Sequence, residues 1–451
     1  MEPVIDLAVL GRVVTPDGAR DGAVLVSGGR ISAILPTAPD GVRVIDARGR
    51  YVLPGLIDSH VHFRTPGLEH KEDWEHGSRA AVVGGVTTVI DMPNTVPPGL
   101  DEAALCAKAD LVAGRSLVDF RFHLGADPQR PELLAEVDPS VATSAKVFMA
   151  GHHTAPTVVR DAEQLEKIFA HAAAGNVRLV LHAEDEAVFD LLDQWRGTDP
   201  QEYSDYERWR PRTGAISAVA QVLALVRRHG TKTHILHVST AEEADLLAAA
   251  HATGLPVTFE VTGHHLSFID RDTLRGGART RLSPAIRGQA DQDRLWTALY
   301  SGEAATVGSD HAPHTRTEKT RPIADAPPGI PGVQELATAV WTGMRRRRPD
   351  EHPDVAAGRL ARCLGAAPAD LFGLPGKGRL EPGADADLVV FDPDQRWMFS
   401  AEDVRSKCGW SAYEGWSMTG RVLTTIRAGE VLWDDERKTF GPATGRWLGT
   451  R

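Results

Sequence analysis

The sequence predicts an α/β protein: one large barrel of repeated βα units, flanked by a small β-sandwich that both chain termini build. Three observations predict it. Apolar strand-like runs alternate with helical stretches such as 162–174, 215–228 and 241–252, the pattern of βα repeats. The side chains best suited to chemistry recur at the C-terminal ends of those runs, where such barrels place their active sites. Both ends of the chain instead show short alternating segments cut by turn residues. A chain of 451 residues holds a barrel, which often exceeds about 250 residues alone, together with a second domain. The expected boundaries are 1–53 for the first part of the sandwich, 54–380 for the barrel, and 381–451 for the second part of the sandwich and a tail.

From Val4 to Val52 apolar and polar positions alternate between the breaks Asp17-Gly18, Ser27-Gly28-Gly29 and Pro39-Asp40-Gly41, which reads as antiparallel strands and turns. Leu388 to Phe391, Val422 to Ile426 and Ala428 to Leu432 repeat that texture, so the two ends predict one domain. No internal repeat with a period of roughly 20 to 50 residues is present, and no low-complexity linker.

The barrel segments carry the chemistry. Leu56-Ile57-Asp58-Ser59-His60-Val61-His62-Phe63-Arg64 follows the apolar run Tyr51-Val52-Leu53, and strand alternation puts His60, His62 and Arg64 on one side. Two imidazoles there suit one metal ion, with a cation beside them to read an anion. A His-x-His pair alone is common on solvated strands; this one gains its weight from four further segments downstream. Lys146 lies inside the apolar run Ser144 to Met149, where an ammonium is costly and finds a partner or a modification. His182 ends Leu179-Val180-Leu181, His237 ends His234-Ile235-Leu236, and Asp310 follows Val307-Gly308-Ser309. Together, in order and at strand ends, these residues supply a two-metal hydrolytic centre.

On these motifs the chain resembles the cyclic amidohydrolases of the amidohydrolase superfamily, the group of dihydroorotases, allantoinases and hydantoinases, and within it most resembles a dihydroorotase. The resemblance runs from Val52-Leu53-Pro54-Gly55-Leu56-Ile57-Asp58 to Ala386-Asp387-Leu388-Val389-Val390 and Tyr413-Glu414-Gly415-Trp416. It implies a metal-dependent TIM-like (β/α)8 barrel. It also implies two divalent metal ions, the more buried held by His60, His62 and Asp310 and the second by His182 and His237. Lys146, carbamylated by carbon dioxide, would bridge both. Zinc is favoured by histidine and carboxylate ligands, although the order of affinities also admits manganese or cobalt. In this scheme the two metals lower the pKa of a shared water and polarise the amide carbonyl, while Asp310 is the general base that passes the proton to the ring nitrogen. His264 is the nearest alternative base.

The dihydroorotase resemblance assigns the substrate carboxylate to Arg64, to Asn94 in Met92-Pro93-Asn94-Thr95, and to His314, four residues after Asp310. A guanidinium fork matches a carboxylate bidentately, so an anion clamp makes physical sense. Two departures weigh on the other side. Leu282-Ser283-Pro284-Ala285-Ile286-Arg287 is nearer the allantoinase and hydantoinase form, and Thr262-Gly263-His264-His265-Leu266 replaces the usual Cys-Pro-His-His-Leu. The expected activity is interconversion of dihydroorotate and N-carbamoyl-aspartate. The alternatives are hydrolysis of another cyclic ureide or imide, and an inactive scaffold homologue, which the full set of metal-ligand residues argues against.

Composition agrees with a soluble metabolic enzyme and decides little more, while the resemblance implies a small cyclic amide as the partner. A net charge of −11 opposes a nucleic-acid surface, and Arg345 to Arg348 reads as a solvated helix end before Pro349. Cys106, Cys363 and Cys408 suggest neither a disulfide framework nor a thiolate zinc site. The start of the chain lacks a basic segment followed by an apolar core, and no run of about 18 apolar residues occurs. The expectation is a cytoplasmic enzyme without membrane partners, a homo-oligomer of two or four copies.

Overall fold

In the computed structural model, which describes residues 4–151, 157–196, 202, 206–323 and 325–449, both ends of the chain enter one eight-stranded sheet. Its order is Thr439–Phe440, Glu430–Asp434, Ser417–Arg427, Leu388–Met398, Val44–Pro54, Leu7–Thr15, Gly18–Ser27 and Arg30–Leu35. The seam between the two ends is the antiparallel pair in which Val390 faces Val52 and Leu388 faces Pro54. Turn chemistry sets the hairpins. Gly28 and Gly29, between the paired Ser27 and Arg30, take φ of 56° and 76°, the left-handed pair that a tight two-residue turn requires. Alternation then gathers Leu7, Val9, Val24, Val52, Leu388 and Ile426 into one buried core. This is the small β-domain expected from the texture of the two termini.

The barrel contains the parallel strands Leu56–Val61, Val86–Asp91, Asp119–Phe122 (resumed as Leu124–Gly125), Ser144–Phe148, Arg178–His182, Thr233–Ile235, Val257–Thr262 and Thr306–Gly308. A parallel bridge between Val61 and His311, with the His62 N–H donating to the His311 carbonyl at 2.8 Å, joins the last strand to the first. Leu56–Val61 and Val86–Asp91 are buried at every position, as strands covered on both faces must be. The helices pack outside. Those at Ala162–Ala174 and Ala241–Ala252 have the expected bounds, and the one expected over 215–228 runs Arg212–His229. Asp161 caps the first of these, and Thr240 with Glu243 forms a reciprocal capping box on Ala241–Ala252, which fixes where each helix begins.

The C-terminal tail also completes the barrel wall. Phe120 N–H donates to the Arg446 carbonyl at 2.9 Å and Leu448 N–H to the Phe120 carbonyl at 2.8 Å, a short parallel pairing of Phe120 with Trp447. Beneath it, buried Asp119 is held by Lys377 and Arg427, each at 2.6 Å, and by Arg446 at 3.2 Å. An unpaired buried carboxylate would be costly, so this network ties the barrel, the sheet and the tail together. Arg346 to Arg348 are exposed around the end of helix Leu336–Arg347, as the basic run predicts. Among the described residues no helix is long and apolar enough to cross a membrane.

Candidate metal centre

Strand Leu56–Val61 delivers His60 at its C-terminal end and His62 just past it, with ring centroids 5.6 Å apart. Asp310 lies beyond Thr306–Gly308, and His237 beyond Thr233–Ile235. Arg64, His237 and Asp310 have φ of 63°, 39° and 47°. For residues with a Cβ that left-handed backbone costs on the order of 1–3 kcal/mol each, and such strain concentrates at functional sites. All three side chains line one cavity at the barrel mouth together with His60, His62, Lys146, Phe148, His182 and Ser283.

Tautomers decide what this cluster can hold. His60 Nδ1 lies 2.8 Å from Glu260 Oε1 and His62 Nδ1 2.7 Å from Asn94 Oδ1, both acceptors, so each Nδ1 carries the proton. Burial keeps both rings neutral, His60 down to about 3 and His62 well below the usual histidine value. Each Nε2 then presents a lone pair, and these two atoms stand 3.2 and 3.3 Å from Asp310 Oδ1. Three acceptors, all buried and within 4.8 Å of one another, converge with no proton to share. Such an arrangement repels itself unless a cation occupies the focus, so His60, His62 and Asp310 fit a divalent metal.

A second donor set adjoins the first. His182 Nδ1 and His237 Nε2 are 3.0 Å apart, while Glu184 Oε2 holds His182 Nε2 at 2.9 Å. The His237 ring lies 5.4 Å from that of His60, between centroids. Lys146 and Phe148, two residues apart on one strand, both face the cavity, and the Lys146 ammonium sits 4.8 Å from the Phe148 ring centroid. Burial brings the Lys146 amine down to about 7. Arg64 is buried in the same wall, its guanidinium donating to the Pro313 carbonyl at 3.4 Å; burial lowers it to about 10, which leaves it a cation.

Asn94 and His314 stand behind the cavity wall. Asn94 Oδ1 is engaged by His62, whereas His314 lies 3.0 Å through Nε2 from the Pro328 carbonyl and 3.1 Å through Nδ1 from Lys71. Pro328 and Gly329 line the cavity in front of His314. Three further residues at the site are not among the sequence expectations. Glu260 is hidden because its partner His60 is 200 positions away, although a carboxylate inside the buried strand Val257–Thr262 is a visible signal. Glu184 is detectable by alternation, two residues after His182. Asp58, fully buried beneath the site and pushed up to about 7 by burial, accepts the backbone N–H groups of His60 and Ser309 at 3.2 and 3.1 Å.

The sequence profile described as the amidohydrolase family matches residues 51–432. The chain is 35% identical over 441 residues to an allantoinase of Streptomyces avermitilis, covering 97% of each chain. It is 38% identical over 434 residues to a dihydroorotase of Halobacterium salinarum, covering 95% of this chain and 97% of that one. An L-hydantoinase (dihydropyrimidinase) structure from Arthrobacter aurescens superposes with a TM-score of 0.92 at 28% identity, over 98% of this chain and 99% of that chain. With the profile spanning the whole barrel and relatives matched end to end, the chain belongs to the amidohydrolase family, among its hydrolases of cyclic amides.

Proposed function

We propose that this enzyme interconverts dihydroorotate and N-carbamoyl-aspartate at a centre of two divalent metals, zinc by the chemistry of its ligands. The observation that carries the choice of substrate is the buried guanidinium of Arg64 in the same cavity as His60, His62 and Asp310. A ring that bears a carboxylate loses its hydration on entry, and a guanidinium fork replaces it with charge-assisted hydrogen bonds. Asn94 and His314 support that anion subsite from behind, the first through His62 and the second through the Pro328–Gly329 wall.

His60, His62 and Asp310 would hold one cation, and His182 and His237 the other. Lys146 would serve both as a carbamate: its amine, made less basic by burial, attacks the carbon of carbon dioxide and releases a proton, leaving on Nζ a carboxylate group with two oxygens. When bound, the two cations lower the pKa of a water and polarise the amide carbonyl. Asp310 takes the proton of the attacking water on its carboxylate and delivers it to the departing ring nitrogen. Glu260, Asn94 and Glu184 keep the imidazoles in the tautomers that leave their lone pairs facing the site. The protein acts on a free small molecule, and we assign it a homo-oligomeric state of two or four copies.

A second reading, allantoinase or hydantoinase activity, is favoured by Ser283 in the cavity wall, its hydroxyl 2.8 Å from that of Tyr206. Turnover of dihydroorotate, allantoin, hydantoin and dihydrouracil by the metal-loaded enzyme decides between them. Dihydroorotate is expected to lead by at least tenfold. Turnover confined to the neutral rings gives the site to the second reading.

A further inference from the structure

The two donor sets share one acceptor. Glu260, at 0% exposure, projects from strand Val257–Thr262 so that Oε1 lies 2.8 Å from His60 Nδ1 and also accepts the backbone N–H of His237 at 3.1 Å. His60 belongs to the first donor set and His237 to the second. A single carboxylate oxygen therefore fixes the ring of one and the main chain of the other. The next strand is shaped around it. A Cβ at Gly308 would come within 2.3 Å of Glu260 Oε2 and 2.6 Å of its carboxyl carbon, so only glycine leaves the carboxylate its place. Gly308 pairs with Thr262 at the end of the Glu260 strand and precedes Asp310 by two residues.

We infer that Glu260 is a positioning residue which couples the two halves of the metal centre, and that Gly308 is glycine to admit it. The inference rests on the reading of His60 and His237 as metal ligands. Without the Glu260 oxygen, the His60 proton can move to Nε2, which removes that lone pair from the site. The His237 backbone, already left-handed at φ 39°, loses the acceptor that helps hold it there. Both sets loosen together, although Glu260 is not among the residues that line the cavity.

The test uses Glu260→Ala, Glu260→Gln, Gly308→Ala and the double variant Gly308→Ala/Glu260→Ala. Zinc affinity is read by chelator competition, bound equivalents by metal analysis after dialysis, and metal-free stability by urea unfolding. Glu260→Ala is expected to weaken zinc retention at both positions by about 10- to 100-fold, the usual range for groups that orient metal ligands. Glu260→Gln keeps an acceptor oxygen for both bonds and should stay within about tenfold of the parent. Gly308→Ala should reproduce the alanine loss, and the double variant should be no weaker than the worse single one, because both substitutions remove the same contact. Unchanged zinc affinity in Glu260→Ala with two equivalents bound overturns the inference and leaves the metal-centre reading intact. So does a lower urea midpoint without loss of zinc, or strictly additive losses in the double variant. A parent protein that binds no divalent metal overturns both.

Discussion

His182 Nδ1 lies 3.0 Å from His237 Nε2, two nitrogens from neighbouring barrel strands brought face to face at the mouth of the cavity. The strands run parallel, with Leu181 opposite Ile235, and each histidine comes just after its pairing. A buried pair so close suits shared ligation of a cation, the role proposed for it above.

Lys146 is the residue that would join this pair to the first donor set, since a lysine offers two oxygens to two cations only once it is carboxylated. Lys146→Ala should bind fewer than two metal equivalents and lose nearly all turnover. Added short carboxylic acids should restore part of it by occupying the vacated space. Two bound equivalents with full activity in the alanine variant would exclude the bridging role.

Asp310 both faces the two Nε2 atoms and is assigned the proton transfers. Asp310→Asn keeps its shape but not its basicity. Turnover should fall by about 10²–10⁴-fold, the usual worth of a positioned acid or base, while substrate still binds. Steady-state rates across pH check this. Wild-type turnover at every pH would pass the role to another group, with buried His264 the nearest candidate.

Arg64 tests the substrate class. A charge-assisted hydrogen bond contributes roughly 1.5–3 kcal/mol, so Arg64→Met should slow dihydroorotate turnover by about 10- to 100-fold while affecting hydantoin or allantoin far less. The comparison is of kcat/KM for charged and neutral rings on both proteins. Equal losses on both, or no loss on dihydroorotate, would contradict an anion clamp.

The histidines dictate how the metal-free protein responds to acid. Burial holds His60, His123 and His264 down to about 3, and His62, His234 and His237 well below the usual value near 6.5. With the folded values depressed, the unfolded chain binds more protons below that value. Stability is therefore present above pH 6.5 and falls as pH drops beneath it, by up to about 1.4 kcal/mol per pH unit for each proton taken up. Asp58, Glu260 and Glu335, raised by burial to about 7, 8 and 7, act in the opposite sense, as do Asp91, Glu243 and Asp387, also raised by burial. Urea midpoints of the metal-free protein should decline between pH 6.5 and pH 5. A midpoint that rises toward pH 5 would mean that the carboxyls dominate.

The strand ends and turns are legible in the amino-acid order because their causes are short-range. Alternation places His60 and His62 on one side, Gly28-Gly29 announces a hairpin, and the helices at Ala162–Ala174 and Ala241–Ala252 are readable from apolar periodicity over a dozen residues. The same local logic points to Lys146 within an apolar run and to His182, His237 and Asp310 at the ends of theirs, and the fold lines all four along one cavity.

By itself, then, the sequence determined the kind of fold, the residue types available for catalysis, and the strands that carry them. Only the tertiary structure decided their partners: Glu260 against His60, Asn94 against His62 rather than directly in the cavity wall, and the Arg446–Leu448 tail against Phe120. The physical reason is the range of the forces involved. Backbone periodicity and turn preference act over a few residues and leave their mark in the order of amino acids. A buried hydrogen bond between positions 60 and 260 exists only because closing eight strands into a barrel brings their ends together, and no local pattern encodes which ends will meet.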